Sequence, residues 1–326
     1  MGEGRAGYAL RRLVQAVPVV LAIVVLNFLL LHLAPGDAAQ VLAGEAASAS
    51  PEYMAELRQR FGLDRPLALQ LLLYVKNVLL LDLGFSFRHN LPVLTLILTR
   101  LWPTLLLMGV TLLLAVGLGI VLGLVAATRA SGWRDTLVSL LALIAYATPL
   151  FWVGLMAIVV FSLKLGWLPI SGMETVGAFY EGWARVADIA WHLVLPAITL
   201  SLFYMALYTR LMRAAVLEQA RMEYVTTARA KGLSEGRIVA SHVLRNAVLP
   251  VVTMAGVQAG SLLGGSIVVE SVFAWPGLGF LAFQALFARD FNLLMGIFLL
   301  SAGLVVVINL VVDLAYTVLD PRIAVR

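Results

Sequence analysis

Six apolar runs divide the chain, and the polar stretches between them differ in length and charge. The runs cover residues 13–33, 101–127, 136–161, 193–209, 247–269 and 293–318. Each is close to the roughly 20 residues that carry a helix across about 30 Å of hydrocarbon. The pattern therefore predicts an all-α integral membrane protein with six transmembrane helices. The first run is longer than the apolar core of a secretory signal, and no Ala-x-Ala site follows it closely, so it reads as an uncleaved span.

The polar stretches set the organisation. Residues 1–33 form an N-terminal tail and the first helix. Residues 34–100 are a long insertion, with a turn at Pro35-Gly36-Asp37 and a helix start at Ser50-Pro51-Glu52, where Ser caps and Pro fits the first turn. Its stretch 67–83 is apolar but short, and reads as a helix lying on the membrane surface or packed on the bundle. Residues 101–326 hold five helices and a polar hairpin at 210–246.

The polar and basic segment 223–250 makes up most of that hairpin. Gly232 suits the left-handed position that ends a helix, Leu233 supplies the usual apolar contact after it, and Ser234 suits the N-cap of a second helix. The predicted form is helix, tight turn, helix.

Charge orients the helices. Arg5, Arg11, Arg12, Arg129, Arg134, Arg210, Arg213, Arg221, Arg229, Lys231, Arg237, Arg245, Arg322 and Arg326 all fall on one side of a six-span arrangement. The positive-inside rule makes that side cytoplasmic, with both termini inside and the 34–100 insertion outside. The net charge of +5 is accounted for in this way and does not call for nucleic acid. The chain is 62% hydrophobic and 13% charged, which agrees with a membrane protein.

Several chemistries are excluded. Cysteine is absent, and His32, His89, His192 and His242 are scattered, so no metal site is expected. Asp313 is the one ionisable residue in the five later runs, which argues against an ion-coupled transporter or channel working alone. No Gly-Lys pair exists, hence no phosphate-binding loop. If ATP powers this protein, another chain binds it, and the hairpin is the one sizeable docking surface.

The run Glu223-Tyr224-Val225-Thr226-Thr227-Ala228-Arg229-Ala230-Lys231-Gly232-Leu233-Ser234, continuing to Asn246-Ala247-Val248-Leu249-Pro250, resembles the "EAA" loop of ABC importer permeases. It resembles most the B-type subunit of the dipeptide/oligopeptide/nickel family. Further matches are Arg11-Arg12-Leu13 with Pro18, Phe61-Gly62-Leu63-Asp64-Arg65-Pro66, Asp82-Leu83-Gly84, Pro103-Thr104, Glu270-Ser271-Val272-Phe273 and Asp320-Pro321-Arg322. The family's Glu-Ala-Ala triplet falls on Thr226-Thr227-Ala228, with the acid displaced to Glu223. The resemblance implies a bacterial inner-membrane subunit that pairs with a second permease, two cytoplasmic ATPases and an extracytoplasmic binding protein. ATP and Mg then belong to the ATPases, and this chain binds no cofactor and catalyses nothing. The implied ATPase-coupling residues are Glu223, Thr227, Ala228, Arg229, Lys231, Gly232, Leu233, Ser234 and Arg237. Peptides are the expected cargo, with nickel, a metal–chelator complex or glutathione as alternatives.

Two further groups stand out. In the fifth run Gly256, Gly260 and Gly264 recur every fourth residue, followed by Gly265, which suits close helix packing. Met254, Gln258 and Ser261 there, with Asn27 in the first run, are candidates to line a translocation pathway. Glu270, Phe273, Trp275, Pro276 and Gly277 form a compact stretch that reads as an outer gate, a binding-protein contact or an interfacial aromatic belt.

Overall fold

The computed structural model describes residues 5–33, 64–86 and 88–319. The readings at Pro35-Gly36-Asp37, Ser50-Pro51-Glu52, 61–63 and Asp320-Pro321-Arg322 lie outside them, as do the side chains of Arg11, Arg12 and Asp313. Two compact units are present: residues 1–102 with 280–326, and residues 103–279.

In the first unit, α1 (Arg5–Leu33) packs along α11 (Phe291–Leu319), and the short apolar α2 (Leu67–Leu79) packs on α1. Asn27 ties all three together. Its amide donates to the Tyr74 hydroxyl at 2.8 Å and to the Met295 carbonyl at 3.0 Å, and the residue is 4% exposed. A buried amide needs such partners. Two short strands, β1 (Phe85–Ser86) and β2 (Leu91–Pro92), pair antiparallel ahead of α3 (Val93–Thr128). Asp290, after α10 (Leu278–Phe287), starts α11 by accepting the Leu293 N–H at 3.1 Å, and it also accepts from the Ser86 hydroxyl.

The second unit is built around α6 (Gly182–Gln219), on whose surface Leu200, Tyr208 and Met212 are fully buried. Around it stand α4 (Trp133–Ala147), α5 (Leu150–Lys164, wound as a π-helix from Ile158), α8 (Glu235–Ala259) and α9 (Leu262–Val272). Lipid tails are as apolar as leucine, so close contact rather than escape from water must hold helices together there. Gly119 and Gly123 supply it. A Cβ at Gly123 would lie 2.6 Å from that of Met212, so α3 meets α6 backbone to backbone. The stripe expected to do this in the fifth run is uneven: a Cβ at Gly264 would meet nothing within 4 Å, whereas one at Gly265 would lie 3.0 Å from the Tyr204 hydroxyl of α6.

Several element boundaries differ from those the apolar runs predict. The run 136–161 is not one straight helix. It breaks at Thr148-Pro149, and the two halves are bent by 102°. Proline lacks the N–H that the helix needs and drives the residue before it into extended backbone, here φ −80 and ψ 132 at Thr148. The fourth helix extends well past 193–209 at both ends, so Arg210 and Arg213 lie on α6 rather than in a loop. The fifth run begins inside a helix that starts at Glu235 and is interrupted at Gly260-Ser261.

By length and apolar character, four of these helices can cross a membrane: α3, α6, α8 and the Phe291–Val312 part of α11. The bent α4–α5 pair makes a fifth if it counts as one span, and the apolar stretch Val14–Leu30 of α1 is shorter. Large exposed apolar side chains along α3 and α4, such as Leu113 and Leu141, suit contact with lipid tails.

Candidate coupling hairpin and broken-helix site

The chain leaves α6 at Gln219 and enters α7 (Glu223–Ala230). Val225 and Ala228 are buried, which seats one face of α7. Glu223, Thr227, Arg229 and Lys231 are exposed on the others. Thr227 turns its hydroxyl back to the Glu223 carbonyl at 3.1 Å. The helix ends in a Schellman motif: the Gly232 N–H donates to the Arg229 carbonyl at 2.9 Å, and the Leu233 N–H to that of Ala228 at 3.3 Å. Gly232 has φ +79, a left-handed conformation that costs a Cβ-bearing residue energy and glycine little. Leu233 is half-buried, while Ser234 and Arg237 are exposed. Ser234 sits at the N-cap, but its hydroxyl makes no capping bond, contrary to the sequence expectation.

Two groups that the sequence reading left without a role fix the hairpin. Glu235 accepts both guanidinium donors of Arg229, at 2.6 and 3.1 Å, across the turn. That bond holds the Arg229 pKa above its ordinary value. The Tyr224 hydroxyl donates to Gln219 at 2.8 Å and accepts from Asn246 at 3.2 Å, joining α6, α7 and α8. Just before the hairpin, Arg213 on α6 grips Asp135 on α4 through two bonds of 2.6 and 2.7 Å. Asp135 also accepts the Ser131 N–H at 2.9 Å.

Met254, Gln258 and Ser261 follow one another at i, i+4 and i+7, on one side of the interrupted fifth helix. Met254 and Gln258 are half-buried and Ser261 is exposed. The Ser261 hydroxyl donates to the Gln258 carbonyl at 2.8 Å and lies 3.2 Å from its side-chain oxygen. Asn27 does not join them in one unit; its amide is committed to Tyr74 and Met295.

The stretch from Glu270 is interior rather than a surface loop. Glu270, on α9, is wholly buried, Phe273 and Trp275 nearly or wholly so, and Pro276 half-buried. One oxygen of Glu270 accepts from the Thr104 hydroxyl at 2.8 Å and the other from the Gly279 N–H at 2.7 Å. Gly277 packs so closely on that carboxylate that no Cβ fits. Trp275 donates its indole N–H to the Pro103 carbonyl at 2.9 Å. Side chains so enclosed offer little surface to a soluble partner. Beyond this turn the segment ahead of α6 is pinned by Thr175 on Asp188, at 2.7 Å from both backbone and hydroxyl, and by Arg185 on Glu174 at 2.8 Å. Among the described residues no group of three or more His, Cys, Asp or Glu side chains could hold a metal ion.

Residues 119–325 match the family described as binding-protein-dependent transport system inner membrane component, and residues 6–108 match that system's N-terminal membrane component. The chain belongs to this family. It is a multi-pass permease subunit of an inner membrane. The permease is 37% identical over 338 residues to the dipeptide transport system permease protein DppB of Alkalihalophilus pseudofirmus, covering 97% of this chain and 98% of that one. It is 39% identical over 319 residues to the oligopeptide transport system permease protein AppB of Bacillus subtilis, covering 98% and 99%. Among solved structures, an inward-facing MetNI methionine ABC transporter shares the fold, with a TM-score of 0.55 and 19% identity over 69% of this permease and 96% of that chain.

Proposed function

We propose that this permease is one of two non-identical membrane subunits of an ATP-driven peptide importer. Six transmembrane helices with both termini in the cytoplasm, an extracytoplasmic insertion at 34–100 and a core at 101–326 complete the arrangement. The second permease, two ATPases that bind ATP and Mg, and a binding protein outside are its partners. Relatives named for dipeptide and oligopeptide transport support the cargo.

The hairpin carries the proposal. A short helix stopped by Gly232 and pinned by Arg229–Glu235 is a rigid exposed knob, suited to a groove on an ATPase. Glu223, Thr227, Lys231, Ser234 and Arg237 present its polar surface, while Ala228 and Leu233 seat it. Such a knob transmits motion because it does not deform. ATP shifts the two-state equilibrium of the assembly only by its differential affinity for the two states. Met254, Gln258 and Ser261 line the pathway of this subunit. The Glu270 turn, with Phe273, Trp275, Pro276 and Gly277, acts as the frame of an outer gate rather than as a binding-protein contact, since its side chains are enclosed.

The test is Gly232→Val in the whole transporter. A β-branched side chain strains the left-handed turn and projects from the exposed knob. Peptide uptake and co-purification of the ATPases should both fall while the permease stays in the membrane. Unchanged uptake with the ATPases still attached would remove the coupling role. The ligand of the co-purified binding protein separates peptide from nickel, a metal–chelator complex or glutathione.

A further inference from the structure

A cavity of about 310 Å³ opens in the second unit where α4 breaks. Its wall is formed by Tyr146, Thr148 and Pro149 at the break, Phe203 and Tyr204 on α6, and Gly265 on α9. The aromatic lining is ordered: Tyr146 and Phe203 stack with centroids 5.2 Å apart, and Phe203 meets Tyr204 edge-on at 5.3 Å. Tyr204 also reaches the second helix break, its hydroxyl donating to the Ser261 carbonyl at 3.4 Å. One helix break thus lines the cavity, and the Tyr204 hydroxyl ties its wall to the second.

Broken helix backbone within a membrane is tolerated where it is enclosed by protein or lines a wet cavity, and not where it faces lipid. In secondary transporters, discontinuous membrane helices also form the substrate sites. The cavity is mostly apolar, and Tyr146, Thr148 and Tyr204 are the lining residues that carry hydroxyls. Its lining residues are uncharged, and the Arg210 guanidinium lies 5.7 Å from the centroid of the Tyr146 ring in its wall. Its volume suits one large side chain rather than a whole peptide.

Resting on the peptide-importer reading, we infer that this cavity is a subsite of the pathway that receives an apolar or aromatic side chain of the passing peptide. Tyr204 lies between the subsite and the polar Gln258–Ser261 pair, so one residue's side chain enters the aromatic cavity while its backbone amides face the polar groups. The permease then contributes its own preference among peptides, beyond what the binding protein selects.

Two measurements on the whole transporter test this. In the first, Ala147→Phe places a ring at the exposed rim, and uptake of Ala-Phe-Ala is compared with uptake of tri-alanine. The ratio should fall about tenfold, the scale of discrimination that an apolar pocket achieves. An unchanged ratio while both peptides still enter overturns the subsite and leaves the importer reading intact. Failure of the unaltered transporter to take up any peptide overturns the importer reading itself. In the second, Thr148→Cys supplies the only thiol in a chain with no cysteine. A charged, water-soluble thiol reagent should label it in permeabilised membranes, and excess Ala-Phe-Ala should slow the labelling several-fold. Labelling by a membrane-dissolved apolar reagent alone means that the cavity faces lipid acyl chains, and it overturns the subsite. So does labelling by the charged reagent at a rate that Ala-Phe-Ala leaves unchanged.

Discussion

Two turns in the second unit have the same backbone design and opposite surroundings. At the end of α7 the Gly232 and Leu233 N–H groups close on Arg229 and Ala228. At the end of α9 the Ala274 and Trp275 N–H groups close in the same pattern on Ser271 and Glu270, at 3.4 and 2.9 Å. Both are Schellman endings with a left-handed residue, φ +79 at Gly232 and φ +47 at Ala274. The exposed turn uses glycine, which meets the conformation with little strain, and a salt bridge in water. The buried turn carries an alanine there, against its preference, because Glu270, Phe273 and Trp275 fix the geometry around it. The exposed turn keeps its surface open and takes its shape from the backbone. A turn that must hold an interior takes its shape from packing and buried hydrogen bonds.

Glu270→Ala should break this contrast most severely. It leaves the Thr104 hydroxyl and the Gly279 N–H without an acceptor in a closed space, at about 1–3 kcal/mol for each unsatisfied group. Thermal unfolding of the purified permease should shift down strongly, and Glu270→Gln, which keeps an acceptor, should shift it less. Equal midpoints for the alanine variant and the unaltered chain would mean that the carboxylate does not hold the turn.

Gly232→Ala comes next. A Cβ there would meet nothing within 4 Å, so its whole cost is conformational, about 1–2 kcal/mol. The unfolding midpoint should fall modestly, and by the same amount with or without the ATPases if the turn is only structural. A larger fall in ATPase retention than in midpoint marks the docking role.

Ala274→Gly is expected to act in the opposite sense. It relieves the left-handed strain but adds freedom to the unfolded chain, leaving a gain of about 0.5 kcal/mol. A measurable loss would show that the alanine methyl is needed in the packed interior. Smallest of all is Glu235→Gln, which weakens an exposed pair with Arg229. Such pairs are screened by salt, so the midpoint should hardly move in molar salt. A drop that persists in molar salt would show that the pair holds the turn through its hydrogen bonds rather than as a screened charge pair.

Local chemistry explains what was legible in advance. Gly232 could be read as a helix stop because the left-handed preference belongs to one residue and its neighbours. Pro149 carried the same kind of signal, yet the run 136–161 reads as one helix by apolarity alone, because a 102° bend leaves the apolar count unchanged. The hairpin's pin was not legible: Arg229 and Glu235 are six residues apart and meet only because Gly232 reverses the chain. Asn27 was legible as unusual, being polar in an apolar run, but a polar residue in a helix serves a pathway or a neighbour equally well. Its partners Tyr74 and Met295 come from distant segments. The Gly119/Gly123 spacing was present in the sequence alongside other glycine spacings, and only the approach of Met212 singles it out.

By itself the sequence determined that this is a membrane protein with a basic, glycine-stopped hairpin. Hydropathy, charge and turn chemistry are summed over neighbouring residues and survive without coordinates. Tertiary structure alone decided that Glu270 faces Thr104, that Arg213 grips Asp135, and that Tyr204 ties the aromatic cavity at one helix break to the other. Those pairings join residues scores of positions apart, and their energies depend on distance and burial that no local window contains.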